Sequence, residues 1–232
     1  VHAKNKPLDC RKKFHDALEA YNKGKHARTQ EILAAIKFDC SGHEVMDSII
    51  YYLGRSYLAL NQPLEAQVEF KSLKRDYPRS PFYDAAAFYV GYCSWEASLA
   101  FNRDQSETRE AIEYLRDYIN TYQGDGPYLD SARKYLQKSR EKLARKEFKT
   151  GELYEKLNEY EAAVIYFQSV IDKYPETDYA DEARLRAARN MLRLHRDQEA
   201  RRLLESLIRQ STHQELVQKA RQLKKELDGP SQ

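Results

Sequence analysis

Apolar and small residues recur along this chain at three- and four-residue spacing, the period of one helix face, and they come in paired blocks. Leu53-Gly54-Arg55-Ser56-Tyr57, followed by Asn61, Ala66, Phe70 and Tyr77-Pro78, places small-x-x-Tyr in a first helix and Ala-x-x-x-Phe in a second. The same landmarks return as Thr150-Gly151-Glu152-Leu153-Tyr154, Asn158, Ala163, Phe167 and Tyr174-Pro175, each displaced by 97 residues. An unrelated helical bundle would not keep that register. Weaker copies run through Ala17, Ala20, Gly24, Leu33 and Ile36, then Val90, Gly91, Ser94, Ala111, Leu115 and Tyr118, and finally Ala188, Met191, Ala200, Leu204 and Leu207. The second-helix alanines stand at 66, 111, 163 and 200, with Thr29 in the first copy, so the spacings of 37, 45, 52 and 37 make five unequal repeats. The third copy carries extra residues around Phe101–Thr108.

This spacing resembles the tetratricopeptide pattern, a helical hairpin that cannot bury its apolar face alone and must stack on neighbours. Gly54, Gly91, Gly151, Ala66, Ala111 and Ala163 mark the points where two helices of a hairpin cross. Gly inside a helix costs about 1 kcal/mol relative to Ala, so its recurrence calls for such a packing reason. Leu129, Ala132, Leu136, Leu143 and Ala144 share one face of a segment free of Gly and Pro, which predicts a long helix from Tyr128 to Leu157 running into the fourth repeat. The expected fold is therefore all-α, a superhelical solenoid of about five tetratricopeptide-like hairpins with one long helix linking repeats three and four. Gly124-Asp125-Gly126-Pro127 is the clearest break. It divides residues 1–123, repeats one to three, from residues 124–232, the long helix with repeats four and five and a final helix.

Composition narrows the class. The 232 residues hold 8 Gly and 7 Pro, too few for an all-β chain, and no apolar run long enough for a membrane span. With 39 basic against 36 acidic residues the net charge is +3, which does not suggest a nucleic-acid partner. Its distribution is uneven. Residues 184–232 carry twelve Lys/Arg and six Asp/Glu, so this end is +6 while the rest sums to −3. Arg189, Arg193 and Arg196 recur there at helical spacing and suit an acidic partner surface, although a solvated helix face has the same pattern. Eighteen Tyr against eight Phe and one Trp imply much half-buried surface, as stacked hairpins provide.

The junctions are more distinctive than the repeats. Asp76-Tyr77-Pro78-Arg79-Ser80-Pro81-Phe82-Tyr83-Asp84-Ala85-Ala86 and Lys173-Tyr174-Pro175-Glu176-Thr177-Asp178-Tyr179-Ala180-Asp181-Glu182-Ala183 share Tyr-Pro, a hydroxyl residue, an aromatic, then Asp and Ala. Tyr-Pro stops one helix and the Ser or Thr region is expected to cap the next. Together with the insertion Asn102-Arg103-Asp104-Gln105, the segment Leu143-Ala144-Arg145-Lys146-Glu147 and the run Tyr160-Glu161-Ala162-Ala163-Val164, these resemble the BamD-type (YfiO-like) lipoproteins of the outer-membrane β-barrel assembly machinery over nearly the whole chain. The resemblance implies a non-catalytic scaffold on the periplasmic face of the outer membrane. Its C-terminal repeats would hold the periplasmic domains of the BamA-type insertase, beside other subunits of the complex, and its N-terminal repeats would receive the targeting segments of unfolded outer-membrane proteins. Such proteins are lipid-anchored through an N-terminal Cys. Cys10 follows Pro7-Leu8-Asp9, and Asp does not suit a lipoprotein cleavage site, so the anchor is expected upstream of Val1. The alternative function is a periplasmic tetratricopeptide adaptor coordinating envelope constriction or cell-wall synthesis.

Enzymatic motifs are absent: no Gly-rich phosphate loop, no Gly-x-Ser-x-Gly, no His-Glu-x-x-His and no Cys-x-x-Cys. No enzyme activity, metal or cofactor is expected. In the first three repeats the inward positions of the first helices read Arg11, Phe14, Leu18 and Tyr21, then Tyr51, Arg55 and Leu58, then Phe88, Tyr92 and Trp95, an aromatic trough with a guanidinium. Tyr51, Phe88, Tyr92 and Trp95 could receive a C-terminal aromatic ring while Arg55 pairs with the carboxylate, or Arg55 could merely bridge to Glu96. Repeats four and five place Arg145, Phe148, Glu152, Glu155, Arg189 and Arg193 there instead. Cys10 precedes the first helix of repeat one and Cys40 follows the second, so an antiparallel hairpin brings them together for a disulfide. Cys93 is expected to stay an unpaired helical thiol.

Overall fold

The computed structural model describes residues 9–229; Pro7 and Leu8, before the expected non-cleavable Asp9-Cys10, lie outside them. Among the described residues are eleven α-helices and no strand: α1 Cys10–Asn22, α2 His26–Asp39, α3 Met46–Ala59, α4 Pro63–Asp76, α5 Tyr83–Ala97, α6 Ser106–Thr121, α7 Leu129–Lys156, α8 Tyr160–Lys173, α9 Tyr179–Arg193, α10 Asp197–Gln210 and α11 Gln214–Asp228. They pair in chain order into five hairpins, and α11 packs on α9 and α10. This is an all-helical array of tetratricopeptide-like repeats.

Small residues at the crossings are required by distance. A Cβ on Gly54 would sit 2.8 Å from the Phe70 ring, and one on Gly151 would sit 2.8 Å from the Phe167 ring. Both rings are fully buried, as are Ala66 and Ala163. Burying a Phe side chain is worth about 2–3 kcal/mol, more than the glycine costs in helix propensity. The turn inside four of the five hairpins is also one device repeated. Gly24, Asn61, Asn158 and His195 adopt left-handed φ of 70°, 58°, 62° and 57°. In each case the next residue's N–H donates to a carbonyl five residues back, at 2.9 Å (Lys25 to Ala20), 2.9 Å (Gln62 to Tyr57), 3.0 Å (Glu159 to Tyr154) and 2.9 Å (Arg196 to Met191). That bond closes the first helix and reverses the chain.

The chain packs as two compact units: residues up to Leu99 with Gln105–Leu136, and Ala100–Asp104 with the chain from Gln137 onward. The division falls inside α7, not at Gly124–Pro127 where the sequence break suggested residues 1–123 and 124–232. The reason is packing. Leu129 and Ala132, from the first turns of α7, are buried with Phe88, Leu115 and Tyr118, and Leu136 lies against the same cluster. The inserted loop joins the second unit, where the Arg145 guanidinium lies 4.2 Å from the centroid of the Phe101 ring and Lys146 Nζ donates to the Arg103 carbonyl at 2.9 Å.

The junction hydroxyls act differently from the expected caps. Ser80 Oγ accepts from the Phe82 N–H at 3.1 Å and Thr177 Oγ1 donates to the Tyr174 carbonyl at 2.8 Å, so both brace the turn while α5 and α9 start without a side-chain cap. At the chain's start, Asp9 does cap α1, accepting from the Lys12 N–H at 3.0 Å. A disulfide joins Cys10 to Cys40 with their Cα atoms 5.8 Å apart, and Cys93 is free and buried in α5.

Candidate binding site

The first unit holds a cavity of about 470 Å³ lined by Tyr21, Arg55, Phe88, Tyr89, Tyr92, Tyr128 and Tyr135, with His26, Leu58, Ala59 and Ser131 completing the wall. Four elements supply the aromatic and charged groups. Tyr21 ends α1, Arg55 faces in from α3, Phe88, Tyr89 and Tyr92 lie on α5, and Tyr128 and Tyr135 flank the first turns of α7. The rings hold one another: Phe88 stacks on Tyr128 at 4.8 Å, and Tyr135 lies 4.8 Å from Tyr92 and 4.5 Å from Trp95.

Arg55 is the charged group of this cavity. Its Nη1 donates to the Tyr51 hydroxyl at 3.0 Å, and its guanidinium lies 5.0 Å from the Tyr89 ring centroid and 5.8 Å from that of Tyr51. Among the described residues no carboxylate forms an ion pair with it. Glu96 instead accepts a short hydrogen bond from Tyr92. Burial works to lower the Arg55 pKa, but the surrounding Tyr89, Tyr51 and Tyr21 hydroxyls outweigh it and leave the group above its ordinary value. Burial likewise pushes Tyr21, Tyr89, Tyr92 and Tyr128 upward. At neutral pH the cavity therefore presents neutral phenols around one uncompensated positive charge, a setting that suits an anion attached to an apolar or aromatic group.

Of the residues expected in the trough, Tyr21, Arg55, Phe88 and Tyr92 line this cavity. Trp95 stands behind them against Tyr92 and Tyr135. Phe14 packs on Tyr52 at 6.0 Å and is absent from the wall. Tyr51 is also not a wall residue. It is buried, stacked on Phe82 at 4.3 Å, and meets the cavity only through Arg55. A ring that does not line the cavity cannot receive a ligand's ring there, so its expected role as an aromatic acceptor is withdrawn. Sequence reasoning missed Tyr89, Tyr128, Tyr135 and His26. The signal for Tyr89 was in the register, because 97 residues further on stands Arg186, the hub of the second unit's ion pairs.

In that second unit Arg186 reaches Glu155 at 2.6 Å, Glu182 at 3.0 Å and Glu152 at 3.1 Å, while its guanidinium lies 5.5 Å from the Phe148 ring. Asn190 donates to Glu155 at 2.9 Å. Phe148, Glu152 and Glu155 are thus tied to one another and not displayed. Arg189 and Arg193 remain exposed on α9, Arg193 donating to the Tyr160 hydroxyl at 2.7 Å. Arg196 is a correction. It lies beyond the end of α9, after the left-handed His195, and pairs with Glu199 at 2.6 Å and Glu161 at 3.1 Å. Three- and four-residue spacing implied one helix side, but the hairpin turn intervenes.

A tetratricopeptide-type array whose first unit holds an aromatic cavity around one arginine defines the class as a helical-repeat protein. The chain belongs to the YfiO family, described as outer membrane lipoprotein, whose profile matches residues 8–206. It is similar to the outer membrane protein assembly factor BamD of Caulobacter vibrioides, with 29% identity over 158 residues, 68% of this chain and 50% of that protein. The match thus spans about half the length of this curated relative. Among solved structures it is similar to a thermophilic TPR protein of Thermus thermophilus, at 16% identity and a TM-score of 0.36, covering 92% of this chain and 98% of that one. Among the described residues no helix is long and apolar enough to cross a membrane.

Proposed function

We propose that this chain is a scaffold in outer-membrane protein assembly, working on the periplasmic face of the outer membrane through binding and not catalysis. Family membership and the assembly-factor name of the Caulobacter relative support that reading over an adaptor for envelope constriction or cell-wall synthesis. The first unit receives the C-terminal segment of an unfolded outer-membrane protein, and the second, with its basic end, engages the periplasmic domains of a BamA-type insertase beside other subunits of the complex. The observation that carries the substrate half is the Arg55 guanidinium, unmatched by any carboxylate among the described residues and ringed by Tyr21, Tyr89, Tyr92 and Tyr128. A chain ending in an aromatic residue offers a free carboxylate for the guanidinium and a ring for the cavity wall.

The test is calorimetry with one peptide ending in Phe, as the free acid and as the amide. The acid is expected to bind about tenfold more tightly, the worth of one charge-assisted hydrogen bond, and Arg55→Ala to remove that preference. Equal affinities for the two peptides would sink the substrate half of the proposal.

A further inference from the structure

We infer that Tyr51 is a positioning residue: its buried hydroxyl holds the Arg55 guanidinium in the orientation that reads a carboxylate. This rests on the proposed reading of the cavity and adds a residue to it that never touches the ligand.

Three observations carry the inference. First, an arginine on a long flexible stem gains little specificity unless its fork is fixed, since each frozen rotamer costs entropy at the moment of binding. Here one of the five guanidinium donors is committed in advance, Nη1 donating to Tyr51 Oη at 3.0 Å. Second, Tyr51 cannot itself drift. Its ring is stacked on Phe82 at 4.3 Å and set edge-on to Tyr52 at 5.3 Å and Phe70 at 6.1 Å, inside the core of the second hairpin. Third, the Tyr89 ring covers the guanidinium, its centroid 5.0 Å away, so the fork is held between the Tyr51 hydroxyl and the Tyr89 ring.

The corresponding position in the second unit supports this. Ninety-seven residues on, Tyr51 becomes Phe148, with the same ring contact to the crossing phenylalanine but no hydroxyl. The arginine beside Phe148 is Arg186, and it is oriented by carboxylates instead. Ring burial alone is thus met by Phe in this scaffold. The phenol occurs where an arginine must be aimed without being neutralised.

Tyr51→Phe separates the hydroxyl from the ring. By calorimetry, the acid-to-amide affinity ratio of the Phe-terminated peptide should fall about fivefold from wild type, while affinity for the amide stays unchanged, because the lost element is the one hydrogen bond from the guanidinium to the phenol that orients the fork. A wild-type ratio retained in Tyr51→Phe would mean that Tyr51 only packs, and the inference falls while the cavity reading stands. An equal loss of both peptides would assign Tyr51 a purely structural role and also overturn it. A wild-type protein indifferent to the carboxylate would overturn the cavity reading and this inference together.

Discussion

The same four scaffold positions carry opposite chemistry in the two units. Tyr51, Arg55, Leu58 and Tyr89 in the first correspond, 97 residues later, to Phe148, Glu152, Glu155 and Arg186 in the second. Each set contains one arginine over an aromatic ring, Arg55 over Tyr51 at 5.8 Å and Arg186 over Phe148 at 5.5 Å, although the arginine comes from a different helix in each. In the second unit three glutamates within 3.1 Å neutralise it. In the first it meets only hydroxyls and rings among the described residues. The difference shows how a repeat scaffold assigns tasks. The self-satisfied version is a staple between neighbouring helices, and the incomplete version is a receptor.

The contrast can be broken in three ways. The largest effect concerns the hairpin that supplies Tyr21 and His26 to the cavity. Its two ends are tied by Cys10–Cys40, thirty residues apart in sequence. Replacing both cysteines with serine should cost about 3–4 kcal/mol in the chain-entropy model. Hydrogen exchange should show the loss in α1 and α2 and leave the amides of α8–α10 unchanged; uniform loosening throughout would show that the bond is no local clamp.

Next comes the arginine pair itself. Arg186→Met leaves Glu155 and Glu182 with no counter-cation and Glu152 with Lys149 alone, at 2.6 Å, in a site where the arginine side chain is only 28% exposed. Urea unfolding should register about 2 kcal/mol, below the cost of orphaning a fully buried charge because the site is partly exposed and Lys149 remains on Glu152. Arg55→Met should cost no more than about 1 kcal/mol, because it leaves no orphaned charge behind. Equal costs would erase the distinction between staple and receptor.

The smallest effect belongs to the exposed basic end. Arg189→Glu with Arg193→Glu should weaken binding to the periplasmic domains of the insertase about fivefold at low salt, and less as salt screens the surface. Melting should barely change, since both side chains are exposed. Unaltered affinity at low salt would place the interface elsewhere.

Where the sequence was informative, distance was the reason. Small residues at a helix crossing admit no substitute, so Gly54 and Gly151 announce their partners Phe70 and Phe167, and the periodic face from Leu129 to Ala144 announces α7. The site was less legible. An inward-facing helix shows one stripe to the cavity and another to the next hairpin, and only the packed structure says that Phe88 turns toward Tyr128 while Tyr89 stacks on Phe70 and meets Arg55. Tyr51 was legible as an aromatic on the right helix but not as a buried one. Arg196 was legible and misread. The spacing of 37 that carries Gly24 to Asn61 also carries Asn158 to His195, and so marks His195 as a turn that ends α9 before Arg196.

The continuity of α7 has a practical corollary for anyone who wishes to cut this protein in two. Its first turns, with Leu129, Ala132 and Leu136, complete the core around Phe88, Leu115 and Tyr118, and they carry two of the cavity's tyrosines at its ends and flank. A fragment stopped at the inviting Gly124–Pro127 break would expose that apolar cluster to water and lose Tyr128 and Tyr135. It should aggregate or melt early whatever its ligand does. A fragment extended through Leu136 keeps the cluster covered, at the expense of ending in mid-helix with unpaired carbonyls that water can satisfy. The visible punctuation in this chain is therefore the wrong place for the scissors, and the seam that a protease or a cloning primer should respect lies inside its longest helix.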